Sequence, residues 1–175
     1  MPAATTQAAR AFIDACSLEV SAKAMPALHA EAARIAPGKT ISIPYLASED
    51  DDARIAAARR VRELGLQPMP HLSARRIGSL AALERFIARA VGEGGVEQCL
   101  LVAGDLATPA GPFADSASLI DIGLLERAGI KVVAVGGHPE GHPVMGADER
   151  WQVLERKCQA IAARGMAPKI ITQFA

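Results

Sequence analysis

Two histidines, a carboxylate and two prolines crowd into Val135-Gly136-Gly137-His138-Pro139-Glu140-Gly141-His142-Pro143, directly after the apolar run Ile130-Lys131-Val132-Val133-Ala134. Imidazoles change charge near neutral pH and carboxylates carry protons, so the segment holds the residue types of a binding or acid–base site. Similar groups end the other apolar runs of the chain: Glu19, Tyr45, His71, Asp105, Thr172 and Gln173. Gathered in one place, two carboxylates, several histidines and an amide suit a polar heterocyclic ligand and one proton transfer. Plainer roles are open to each. Glu19 could pair with Lys23 or an arginine, Asp105 could be a turn residue or a helix cap, and His71 could be a satisfied core histidine. Arg156 and Lys157, on spacing alone, read as a solvated helix face. A metal held by His138, Glu140 and His142 is the weaker alternative, because Pro139 and Pro143 exclude the helical H-E-x-x-H arrangement, and no metal is expected.

These groups need a scaffold that brings strand ends together. Six apolar runs read as strands: 15–20, 40–45, 66–72, 98–103, 130–135 and 169–174. The third is the poorest, since Pro68 and Pro70 interrupt it. Helical patterns lie between them. Positions 25–35 carry Pro26 near the start, and 51–64 have Asp50, Asp51 and Asp52 at the start and Gly65 after the end. Ser79 can cap a helix bearing Leu80, Leu83, Phe86, Ile87 and Ala90 on one face. Leu119, Ile122 and Leu125 mark another, closed by Gly129, and Trp151, Leu154, Cys158 and Ile161 mark the last. Repeated β-α alternation argues for parallel strands with right-handed crossovers. Glu19-Val20-Ser21-Ala22-Lys23 has no glycine, so the phosphate turn of a dinucleotide-binding doubly wound sheet is missing. The expectation is an α/β fold of the (β/α)8 TIM-barrel type, spanning 1–175 as a single domain with about six βα units and the barrel incomplete. Its exposed edges would need a second copy, a partner or further residues to cover them.

Composition narrows the function classes. Half of the 175 residues are hydrophobic but only one Trp, one Tyr and four Phe occur, so the core must be aliphatic. Nineteen basic and nineteen acidic residues cancel, which offers no field for nucleic acid or an anionic membrane. No apolar run approaches the roughly 18 residues of a membrane span, and the N-terminal stretch lacks a signal-peptide core. Cys16, Cys99 and Cys158 match neither a disulfide framework nor a zinc module, and reduced thiols suit a cytoplasmic protein.

Taken in order, these residues resemble the methylenetetrahydrofolate reductases, flavoenzymes built on a (β/α)8 barrel. Ser17-Leu18-Glu19 matches that family's S-x-E first strand, Pro70-His71-Leu72 its P-H-L, and Gly104-Asp105 its G-D. Pro139-Glu140-Gly141-His142-Pro143 matches P-E-x-H-P, Arg156-Lys157 an R-K helix, and Ile171-Thr172-Gln173-Phe174 the I-T-Q-F strand. The six matches are collinear and run from residue 17 to the end of the sequence.

The resemblance implies that NADH or NADPH reduces a bound FAD, which passes hydride to 5,10-methylenetetrahydrofolate and gives 5-methyltetrahydrofolate. It implies Glu19 as the general acid that helps open the folate ring, its pKa raised by desolvation among apolar strand neighbours. It implies Asp105 beside flavin and pterin, stabilising cationic character, and Gln173 on the pterin. It implies an FAD site lined by His71, Ala103, Gly104, Asp105, His138, His142, Arg156 and Lys157. The chain departs from the pattern at Val20-Ser21-Ala22-Lys23, where an aromatic-proline pair is usual, and at Ala103, where an arginine is. It departs again at His138 for a tyrosine and at Pro44 for a threonine. Two other readings stand beside this one: a catalytically impaired homologue acting as a binding or partner subunit, and a flavin-free barrel that transfers a folate methyl group.

Overall fold

A computed structural model describes residues 16–142 and 144–172. Its six strands are β1 (Leu18–Glu19), β2 (Thr40–Ile43), β3 (Gln67–Ser73), β4 (Gln98–Val102), β5 (Val132–Gly137) and β6 (Ala167–Thr172). The helices between them are α1 (Met25–Glu31), α2 (Asp51–Glu63), α3 (Leu80–Gly92), α4 (Ser116–Asp121), α5 (Leu124–Arg127) and α6 (Ala147–Ala163). The strands are all parallel and lie in chain order, forming a sheet curled into a half-barrel. A doubly wound sheet reverses its order partway to place helices on both faces. Here the order never reverses, so crossovers of one hand put every helix on the same face.

The two sheet faces confirm that division of labour. Alternate strand residues Ile41, Ile43, Leu72, Cys99, Leu101, Val133 and Val135 join Ile55, Val61, Leu83, Ile87, Leu154 and Ile161 of the helices in the main core. The residues between them, Met69, Leu100 and Ala134, form a separate small cluster with Val102 and Ile171 on the concave face. Each fully buried Leu or Ile of the main core contributes about 1.5–3 kcal/mol by leaving water. The concave face carries little such burial, which leaves it open to polar side chains.

Several elements differ from the expected bounds. The third run is a seven-residue strand despite its prolines. In a parallel ladder successive residues turn their N–H groups to opposite neighbours. The Gln67 amide donates to the Lys39 carbonyl at 2.9 Å, on the β2 side. Pro68 and Pro70 therefore turn their missing donors toward β4, which pairs with β3 only from His71 onward. β1 is shorter than its apolar run, and both its residues are exposed. The helix expected through Leu119 and Leu125 breaks in two at Gly123, whose φ of 66° ends α4 and starts α5. The helix expected over 25–35 is α helical through Glu31 and then tightens to a 3-10 turn at Ala32–Arg34.

The caps follow the sequence signals. Asp50 Oδ1 accepts from the Ala53 amide at 2.8 Å, and Ser79 Oγ from the Ala82 amide at 3.1 Å. Trp151 is 57 % exposed, away from the core face it was expected to share with Leu154 and Ile161. Among the described residues no helix is long and apolar enough to cross a membrane.

Candidate functional site

The carboxyl ends of β3, β4 and β5, with α4 and α6 beside them, enclose a cleft of about 1190 Å³. His71 and Ser73 come from β3, while Ala103, Gly104 and Asp105 follow β4. Gly136, Gly137, His138 and His142 come from β5 and its loop, and Arg150, Arg156 and Lys157 from α6. All eight residues expected to line one ligand site share this wall. On α6 the lining positions Arg150, Val153, Leu154 and Lys157 follow helical spacing, so one face of the helix forms it.

His71 is the best-defined polar group. Its side chain is 12 % exposed, and Nε2 lies 2.8 Å from Ser42 Oγ. Burial, helped by the nearby Arg54 cation, pushes its pKa down to about 4, so the ring is neutral at pH 7. Glu19 Oε2 stands 3.7 Å from the same nitrogen. With a neutral imidazole this is proximity and not an ion pair. The plainer role of a satisfied histidine is thus met in part, although the ring also faces the cleft.

Arg54 braces this strand end from below. It is 3 % exposed, and a guanidinium N–H donates to the His71 carbonyl. Its charge lies 4.5 Å from the centre of the Phe86 ring and 5.1 Å from that of Tyr45, with Asp51 at 3.4 Å. Arg76 approaches the Tyr45 ring at 5.4 Å and grips Asp105 with two hydrogen bonds of 2.7 Å. That grip holds the Asp105 carboxyl below its ordinary range. Asp105, in the bend after β4, is thus an ion-pair partner of Arg76.

Gly104 has a φ of 93°, and a Cβ there would sit 2.4 Å from Ser73 Oγ. The backbone crosses over β3 so closely that a side chain there would have to displace the Ser73 hydroxyl. Arg75 ties down the loop beyond: its amide donates to the Ala103 carbonyl at 2.9 Å, and its side chain to Ala114 and Leu106 carbonyls at 2.7 and 3.2 Å. At the other end of the cleft the His138 and His142 rings meet edge to face, centroids 4.9 Å apart. The His138 pKa is lowered by burial first, then by His142, Lys157 and Arg150; burial also lowers that of Lys157.

One expectation needs correction: Glu19 is outside the cleft lining, and its side chain is 61 % exposed. β1 has only β2 beside it among the described residues, so the desolvation expected from apolar neighbours is absent. Lys23 is not its partner either, because that ammonium donates to Ser48 Oγ at 3.1 Å. Gln173 and Pro143 lie outside the described residues, so their expected places are not part of this geometry. Arg156 lines the cleft yet is exposed to solvent, while Lys157 is half-buried. Cys99 is buried and its thiol is pushed up to about 12, which leaves it inert. Among the described residues no three His, Cys, Asp or Glu side chains are grouped to hold a metal ion.

Ser42, Arg54, Arg76 and Arg150 escaped the sequence reading. Arg75-Arg76 directly follows the third strand, a position that could have marked it as a site residue. Arg54 carries no such mark among the arginines of α2. No protein-family model matches the chain.

Proposed function

We propose that the chain is the larger part of a (β/α)8 barrel similar to the methylenetetrahydrofolate reductases. In this reading its cleft takes FAD, and the assembled protein reduces 5,10-methylenetetrahydrofolate with NADH or NADPH. The observation that carries it is that the eight residues which the resemblance implies for the flavin site all line one cleft. The cleft's size and walls fit the group. Its volume exceeds the about 300–1,000 Å³ of ordinary small-ligand pockets. Gly104, Gly136 and Gly137 leave stretches of wall without side chains, and Arg150 and Lys157 put positive charge at one end. When bound, FAD supplies the hydride chemistry that no side chain can.

The chain's own residues would position the ligands and handle protons. Glu19 stands at the exposed end of β1 beside His71, and the strands that close the barrel would have to bring it against the ligand. Asp105, ionised and fixed by Arg76, offers a constant negative charge where positive charge develops on the pterin. His71 stays neutral and oriented by Ser42. Gln173 would hydrogen-bond the pterin. Closing a barrel takes two more strands than the six described, from this chain, a second copy or a partner. A cytoplasmic setting, where NAD(P)H and reduced folate are both at hand, suits this chemistry.

A second reading, an impaired homologue that only binds, is favoured by one observation: both Asp105 oxygens are already engaged by Arg76. Purified protein that carries a flavin spectrum, is bleached by NAD(P)H and is reoxidised by methylenetetrahydrofolate supports the first reading. A bleached flavin that the folate leaves untouched supports the second. Absence of any flavin would favour the flavin-free methyl-transfer reading.

A further inference from the structure

We infer that Arg150 is a phosphate-binding residue of the cleft, acting with Lys157 and the His138 and His142 imidazoles on the phosphate-bearing part of a nucleotide ligand. Arg150 Nε is buried without a hydrogen-bond partner. None of its guanidinium nitrogens joins the hydrogen bonds or ion pairs seen among the described residues. A guanidinium presents five N–H donors in a planar fork, and leaving a buried one unpaired is costly. Phosphate oxygens are the partners that geometry suits best.

Its position adds to the case. Arg150 stands in the first turns of the 17-residue helix α6, where the helix dipole disfavours a cation. Asp148 and Glu149 in the first turn offset part of this cost. Its Nη1 lies 3.5 Å from where a Gly141 Cβ would be, so the guanidinium rests against the loop bearing both histidines. Lys157 is two helical turns further along the same face. Burial first, and then His142, Lys157 and Arg150, hold the His138 pKa down, so Lys157 and Arg150 both bear on this ring. Two acids also line the cleft on this side, Asp115 and Asp121. Asp115 attracts Lys157, but its carboxylate is already committed to capping α4 through the Ser118 amide at 3.0 Å. Asp115 still faces Lys157 as a carboxylate, while Arg150 has no ion-pair partner among the described residues.

Taken as the diphosphate of FAD, the subsite rests on the reading above, and the test separates the two. Inorganic pyrophosphate is titrated calorimetrically into the chain and into Arg150→Gln, Arg150→Lys and Arg59→Gln, at one low salt concentration. Saturable binding is expected, weakened about tenfold or more by Arg150→Gln and less by Arg150→Lys. Arg59→Gln, the same charge change on exposed α2, should leave it unaltered. No pyrophosphate binding, equal affinity in Arg150→Gln, or equal loss in Arg59→Gln overturns the inference. FAD and riboflavin are then compared. If Arg150→Gln weakens FAD and spares riboflavin, the phosphates of FAD are what Arg150 holds. Pyrophosphate binding that depends on Arg150 in a protein deaf to FAD would keep the subsite and remove the flavin. FAD binding indifferent to Arg150 would do the reverse.

Discussion

Arg76 and Asp105 face each other across the mouth of the cleft in a two-pronged pair, each hydrogen bond 2.7 Å long. The pair joins the ends of β3 and β4, and Tyr45 on its flank connects it to buried Arg54. Asp105 thus owes its ionised, fixed state to a residue outside the motif that marks it. In Arg76→Ala the Asp105 carboxyl should titrate at higher pH than in the parent, read by carbon-13 NMR of the carboxyl. An unchanged midpoint would show that the pair does not exist in solution.

Gly104 and Ser73 set a second expectation. Gly104→Ala places a methyl 2.4 Å from Ser73 Oγ on a backbone with φ of 93°. The clash and the left-handed backbone together should cost about 2–4 kcal/mol in urea unfolding. Adding Ser73→Ala removes the hydroxyl and not the backbone strain, so it should restore part of the loss. Full restoration would mean that the backbone is not strained there.

His71 makes stability depend on pH. Its folded pKa of about 4 lies below the ordinary 6.5, so between those values the unfolded chain binds more protons. Stability is complete above about pH 6.5 and falls as the pH drops toward 4, by a contribution on the order of 3 kcal/mol. His138, also lowered, adds to the same slope. His71→Gln should flatten the dependence in this window without abolishing it. A parallel profile in parent and variant would contradict the burial of a neutral His71.

Arg54→Met should act on the same histidine from below. Loss of the hydrogen bond to the His71 carbonyl and of the contacts with Phe86 and Tyr45 should cost about 1–3 kcal/mol. Asp51 is 57 % exposed and can return to water, which keeps the cost moderate. With the cation gone, the His71 midpoint should rise, as followed by proton NMR of the ring. A midpoint that stays in place would assign the whole shift to burial.

Much of the fold was written in local pattern, because alternating runs and caps are local. Ser79 caps the helix it was expected to cap, Asp50 caps the helix whose start its acid run marked, and β4 sits within a residue of its apolar run. β3 was obscured by Pro68 and Pro70, which are tolerated because their missing donors fall where β4 does not pair. The helix through Leu119 and Leu125 reads as continuous until Gly123 adopts its positive φ, a tertiary choice that spacing does not reveal. Residues at strand ends were legible because topology brings all such ends to one rim. The arginines that complete the site were not. Arg54, Arg76 and Arg150 sit among many similar cations, and only the packing decides which of them turns inward. Glu19 shows the opposite failure: an apolar sequence neighbourhood suggested burial that an edge strand does not provide.

The cleft between β3, β4, β5 and α6 is proposed to hold a flavin. The most direct test is a titration of FAD into the purified chain, followed by the shift of the flavin absorption band and checked by gel filtration. Saturable binding of one FAD per chain is expected, weakened by His142→Ala and by Lys157→Ala. An FAD spectrum that never shifts, in a chain from which the flavin elutes separately, would contradict it.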